Sequence, residues 1–343
     1  MGKNFKVVVT DFEYHDLHFE EEVFKGYPID LIPAQCRSEK EVIRICQDAD
    51  GIINQYAPIN EEVIASLNKC QIIARYGIGV NTIDIKAATE KLICVANVPD
   101  YCIDEVSNHA LTLLLAGTRK ITAANQSTKA GHWDFKNVQP IHRLNGQVLG
   151  LIGFGRIPQL LAEKAKPLGL HILAYDPFVS KEAAQSKGVQ LVSLEELCER
   201  SDFISVHAPL NSSTQGMIAE KEFALMKRDT LIINTSRGPL INENALIKVL
   251  QTGKIAGACL DVTEEEPINS NNPLLTMEQV ILTPHMAWYS EEAERELRMK
   301  AAMSLIDVLV YKEFPKYLLN NELKGKIALE NNTNSERYAL LSK

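Results

Sequence analysis

The chain has 343 residues, enough for two ordinary domains, each with an apolar core of its own. Hydrophobic residues make up 45% and charged residues 23%, a balance that argues against a fibre, a disordered chain or a membrane protein. Lys and Arg number 36 against 44 Asp and Glu, a formal net charge of −8 without any basic stripe, so a nucleic-acid backbone would be repelled.

In chain order, β-branched runs alternate with helical spacing. The pattern predicts strands over residues 5–9, 51–54, 71–75 and 93–96, with helices over 38–47 and 61–68. This βαβα order favours a parallel sheet covered by helices on both faces. After Val98-Pro99, residues 103–119 form one helical pattern. Its stripe of Val106, Ala110, Leu113 and Leu114, widened by Leu111 and Leu115, suits a domain bridge or a partner subunit. A polar stretch follows, and then a second, more regular series. It has strands over 148–152, 171–175, 203–206, 230–234, 257–260 and 280–282, and helices over 159–167, 194–199 and 243–252. A long helix returns over 290–311, and the polar, aperiodic tail beyond about residue 325 is expected to be loose. No apolar run is long enough for a secretory core or a membrane span, which points to a cytoplasmic protein without membrane association. The seven cysteines show no metal-ligand spacing and read as reduced, buried thiols, so neither a disulfide framework nor a metal site is expected.

Gly153 and Gly155 occupy the first two glycine positions of a GxGxxG turn between a strand and a helix. The first permits a tight turn, and the second lets a pyrophosphate approach the helix N-terminus. Pro158 stands where the third glycine belongs, which the first turn of a helix tolerates. Taken alone, the turn is equally well a plain βα loop. Asp176, 176 − 155 = 21 residues after Gly155, ends the next strand at the spacing of a carboxylate that bonds the adenosine ribose. It would also repel a 2′-phosphate, favouring NAD over NADP.

Three further segments put polar residues at the ends of predicted strands, where open α/β sheets bind ligands. They are Asn234-Thr-Ser-Arg237, Asp261 to Glu266, and Thr283-Pro-His285-Met-Ala-Trp288. Singly, Arg237 reads as a surface ion-pair residue, Glu266 as part of a solvated acidic loop, and His285 as structural. Together they match the needs of hydride transfer to a 2-keto acid. A His of near-neutral pKa delivers the proton, a carboxylate fixes its tautomer, and an Arg fork holds the substrate carboxylate.

These motifs resemble the D-isomer-specific 2-hydroxyacid dehydrogenase family over roughly residues 5–325. His285 to Ala293 is closer to the C-terminal-binding-protein branch than to phosphoglycerate dehydrogenases. The resemblance implies that Arg237 binds substrate, Glu266 orients His285, and His285 donates the proton. It implies NAD(H) contacts at Gly153, Gly155, Arg156, Ile157, Asp176, His207, Ala208, Pro209, Thr214, Asn234, Thr235, Ser236 and His285, with Asp261 on the nicotinamide carboxamide. The loop Arg75 to Asn81, with Tyr76, Gly77, Ile78 and Gly79, would bind the substrate carboxylate, and Trp288 would wall an apolar pocket. The implied fold is two Rossmann-like or flavodoxin-like doubly wound parallel-sheet domains. Residues 1–100 with 288–327 would form the substrate domain, 101–287 the NAD domain, and 328–343 a loose tail. The active site would lie in the interdomain cleft, and no regulatory domain is expected beyond residue 325. A homodimer acting on a small 2-keto or D-2-hydroxy acid is expected, and the alternative is an NAD(H)-responsive binding protein of the corepressor kind. Formate as donor is disfavoured because that branch uses Gln where Glu266 stands.

Overall fold

Runs of Val, Ile and Leu, buried on both faces in the central strands, build two separate parallel sheets. The computed structural model describes residues 4–332, 336–339 and 341. It divides into two units, the described residues of Met1–Tyr101 with Ser290–Lys343, and Cys102–Tyr289.

The first unit begins with β1 (Phe5–Val9), α1 (His18–Phe24), β2 (Ile29–Pro33) and α2 (Glu39–Cys46). It continues with β3 (Gly51–Asn54), α3 (Glu61–Ser66), β4 (Ile72–Arg75), α4 (Ile85–Glu90) and β5 (Cys94–Ala96). The strand order is β2-β1-β3-β4-β5, the flavodoxin-like winding. Local chemistry starts its helices: Ser38 and Glu41 form a capping box on α2, and the Asn60 side chain accepts from Val63 N on α3. Val8, Val42, Ile52, Val63 and Ile73 meet in its core.

The second unit holds α5 (Ile103–Thr118), α6 (Ile121–Lys129), β6 (Val148–Ile152), α7 (Arg156–Ala165), β7 (His171–Tyr175) and α8 (Lys181–Ser186). Then come β8 (Gln190–Leu191), α9 (Leu194–Arg200), β9 (Phe203–Val206), α10 (Glu220–Leu225), β10 (Leu231–Asn234), α11 (Glu243–Gln251), β11 (Gly257–Leu260) and β12 (Val280–Leu282). The order β12-β11-β10-β9-β6-β7-β8 is the Rossmann winding extended by one strand. Strand alternation feeds two cores. Leu149, Leu151 and Ile233 face Leu113, Leu114 and Leu161, while Ile152, Ile204 and Ile232 face Leu197, Phe223 and Leu246.

The α5 stripe therefore differs from its expected use as a bridge or subunit contact. Ala110, Leu113 and Leu114 are spent on their own sheet. Helix α7 starts at Arg156, three residues before the predicted start, with Pro158 buried in its first turn, where a missing N–H breaks no intrahelical bond.

The chain returns to the first unit through α12 (Glu291–Ile306), capped by Ser290 on Ala293 N. In the tail, α13 (Glu336–Ala339) departs from the expected looseness. Tyr338 is buried and donates to Asp307 Oδ2 at 2.6 Å, and Arg337 reaches Asp307 and Glu313 at 3.3 and 3.0 Å. The rest of that expectation, at residues 333–335, 340, 342 and 343, lies outside the described residues. Among the described residues no helix is long and apolar enough to cross a membrane. The seven cysteines are buried and free.

Candidate active site

The nucleotide turn grows from β6. Gly153 takes φ +91°, and a Cβ there would sit 3.0 Å from the His207 and Ala208 backbone, so a side chain is excluded twice over. A Cβ on Gly155 would meet nothing within 4 Å, which leaves an open cradle at the N-terminus of α7. Asp176 lies at the end of β7, where Oδ2 accepts from Phe154 N and Oδ1 from Phe178 N, both at 2.8 Å. A carboxylate offers about four lone-pair positions, so sites remain for ribose hydroxyls. Thr235 Oγ1 is buried with no hydrogen-bond partner, as expected of a group that waits for a ligand. These features fit a dinucleotide.

Other expected cofactor residues are occupied by the protein itself. The Asn234 amide donates to Arg237 O at 2.9 Å and its oxygen accepts from Ser236 N at 3.0 Å, so it shapes the turn after β10. Ser236 donates to Ala208 O, and Thr214 donates to Pro209 O. The His207 ring lies 2.8 Å from Ser205 Oγ, and burial lowers its pKa to about 4, leaving it neutral near pH 7. Ala208 is buried, whereas Pro209, Arg156 and, in part, Ile157 reach the surface beside this edge.

Arg237, Glu266 and His285 follow β10, β11 and β12 at the same C-terminal edge of the sheet. Gly238 allows the approach, since a Cβ there would lie 1.9 Å from Thr263 O. Glu266 Oε2 accepts from His285 Nδ1 at 2.6 Å, and Thr263 N donates to Oε1 at 3.2 Å. Burial pushes the Glu266 pKa up, but the hydrogen bond and charge of His285, the Thr263 N–H and the Arg237 charge outweigh it and leave it below the usual value. With Nδ1–H held by the carboxylate, Nε2 is the nitrogen left to carry a mobile proton. Arg237 is half-buried and spends one Nη1 bond on Ser236 O.

His285 adopts φ +51°, a left-handed conformation uncommon for a side-chain-bearing residue. Asp261 enforces it. Its Oδ1 accepts from Thr283 Oγ1 at 2.6 Å and Met286 N at 2.9 Å, and its Oδ2 accepts from Ala287 N at 2.8 Å. Asp261, expected on the nicotinamide, is buried and has both oxygens engaged in this turn. Its neighbour His109 was missed in the sequence, although a histidine on the apolar stripe of α5 was a visible signal. Trp288 is half-buried, edge-on to Tyr289 with ring centroids 5.6 Å apart.

In the first unit, Tyr76 opens the loop after β4, but its side chain points inward, contrary to its expected place against substrate. It is 2% exposed and its hydroxyl donates to Glu20 Oε1 at 2.6 Å. Glu20 also takes Arg298 Nε and Nη2 at 2.9 and 2.7 Å. Gly77 is buried, while Ile78 and Gly79 are partly exposed.

Residues 111–287 match the NAD-binding domain of the D-isomer specific 2-hydroxyacid dehydrogenases. The chain belongs to that family. It is 37% identical to a glyoxylate reductase of Korarchaeum cryptofilum over 89% of this chain and 91% of the other. It is 44% identical to a D-3-phosphoglycerate dehydrogenase of Methanocaldococcus jannaschii over 75% of this chain and 49% of that one, so it spans about half the length of that relative. A D-lactate dehydrogenase of Aquifex aeolicus, solved with NAD and lactic acid, shares 26% identity with a TM-score of 0.80 over 89% of this chain and 95% of that one. The matched domain is an NAD-binding one, and NAD(H) is the cofactor. The expected leaning towards the C-terminal-binding-protein branch finds no support among these relatives.

Proposed function

We propose that the protein is an NAD-dependent oxidoreductase that interconverts a small 2-keto acid and its D-2-hydroxy acid. The observation that carries this reading is the His285–Glu266 pair, 2.6 Å apart, on the sheet edge that also carries Arg237. Gly153, Gly155, Asp176 and Thr235 are the residues assigned to hold NADH, which when bound supplies the hydride. The Arg237 guanidinium grips the substrate carboxylate and polarises the adjacent carbonyl. As negative charge develops on the carbonyl oxygen, His285 Nε2 delivers a proton, and Glu266 stabilises the imidazolium that precedes it. Oxidation runs the same proton in reverse. The loop 76–81 is a second candidate for carboxylate binding through its backbone N–H groups, and Trp288 is the candidate apolar wall. Both glyoxylate reductase among the relatives and D-lactate dehydrogenase among the solved structures carry names that fit such substrates.

Purified protein should oxidise NADH with at least one of glyoxylate, hydroxypyruvate, pyruvate or 3-phosphohydroxypyruvate. His285→Ala should lower kcat about 100- to 10,000-fold, the usual contribution of a general acid. Retention of full turnover in that variant would remove the assigned role. The reading includes a cytoplasmic homodimer, in keeping with reduced cysteines and with Ile121, Trp133 and Phe135 exposed on and after α6.

A further inference from the structure

His109 has no role in the chemistry above, yet its ring meets the turn that carries His285. Its Nε2 lies 3.0 Å from Thr283 Oγ1, and the Thr283 hydroxyl donates to Asp261 Oδ1 at 2.6 Å. A hydroxyl has one hydrogen. With that hydrogen on Asp261, Thr283 can only accept from His109, so the His109 proton sits on Nε2. The same Asp261 oxygen also receives Met286 N–H, and the other receives Ala287 N–H. The chain of donors thus runs from α5 through Thr283 and Asp261 to the two residues that follow His285.

We propose that His109 is a positioning residue for His285, acting through Thr283 and Asp261; this rests on His285 being the proton donor. Three observations meet here. The left-handed backbone at His285 persists only when its surroundings over-determine it. The turn is held chiefly by one carboxylate, whose direction is set by the donors around it. His109 itself sits on an otherwise apolar helix face between Val106 and Ala110, where Leu would pack as well but could not donate. A shift of the turn would swing His285 away from Glu266 and from the substrate oxygen. The long separation from His109 Nε2 to Asp261 Oδ1, 3.6 Å, leaves Thr283 as the direct partner.

The test uses protein labelled with carbon-13 at the ring Cε1 of its eight histidines, with and without saturating NAD. The His285→Ala spectrum identifies the His285 signal. In His109→Leu and in Thr283→Val that signal should move or split, whereas in His109→Gln it should stay near its native position, because the Gln amide can donate where Nε2 did. In parallel, His109→Leu should lower kcat about 10- to 100-fold, the scale of loss from a small misplacement. KM for the keto acid and the affinity for NADH should change less than about twofold, and His109→Gln should restore most of kcat. A native His285 signal in both His109→Leu and Thr283→Val would overturn the proposal, as would equal damage from Leu and Gln. The spectra decide it whether or not any keto acid is turned over, so failure of the enzymatic reading remains distinguishable.

Discussion

Glu266 acts on His285 through Nδ1 alone, and this geometry sets what a single substitution does. Glu266→Gln keeps a hydrogen-bond acceptor but removes the charge that favours imidazolium. The rate of keto-acid reduction should then fall, because the charge that stabilises the proton-donating form of the ring is gone; an unchanged kcat would contradict the pairing. The depressed Glu266 pKa also carries a stability term. A depressed carboxylate stabilises the fold above its unfolded pKa, and that contribution is lost as pH falls through the folded value. Asp176 tests cofactor choice. Asp176→Ala should raise the NADP-to-NAD ratio of kcat/KM by about tenfold or more, on the scale of one lost charge-assisted contact. An unchanged ratio would count against its place beside the ribose.

At the level of elements, α12 is fastened to the first unit by Arg298, which is 1% exposed and pairs with Glu20 while its guanidinium lies 4.4 Å above the Tyr14 ring. Glu20→Ala leaves the guanidinium its Glu294 partner at 3.0 Å but removes two buried hydrogen bonds between charged groups, so it should cost about 3 kcal/mol of unfolding free energy in urea. The same change removes the acceptor of the Tyr76 hydroxyl, and KM for the keto acid should rise more than kcat falls if the loop 76–81 binds its carboxylate. A second fastening joins α12 to α13. Burial raises the Asp307 pKa to about 6, against the opposing pull of Tyr338 and Arg337. A carboxyl raised above its unfolded pKa favours the fold below that unfolded value, and the benefit disappears as pH rises through about 6. Asp307→Asn should therefore compare more favourably with native protein at pH 8 than at pH 4 in thermal unfolding. The reverse ordering of Tm differences would show that the Arg337 pairing dominates.

For the whole molecule, the exposed Ile121, Trp133 and Phe135 belong to the proposed subunit contact. Replacing both aromatics with Ser should move the sedimenting species from dimer to monomer, whereas a native monomer would remove that claim. Both doubly wound units were legible in the sequence because most of their strands are rich in Val, Ile and Leu and their longer helices carry apolar stripes, whereas the edge strands β2 and β8, IDLIP and QL, gave no such run. Helix α1 was not legible, since one of its inward positions is Glu20, satisfied by Arg298, 278 residues away, and by the Tyr76 hydroxyl. Helix α6 buries no residue at all and leaves no periodic trace. The Arg237, Glu266 and His285 positions were legible as strand-end polar residues. What stayed hidden was how neighbours spend their donors: Tyr76 turned to Glu20, Asn234 closed its own turn, and Asp261 was enlisted with Thr283 and His109 to hold His285. Apart from the Asn234 turn, these depend on long-range pairings that no local spacing encodes. The central claim is most directly tested by chiral analysis of the product formed from NADH and each 2-keto acid in the panel. The account predicts the D-2-hydroxy acid from native protein and at most trace product from His285→Ala. The L-isomer, or equal product from both proteins, would contradict it.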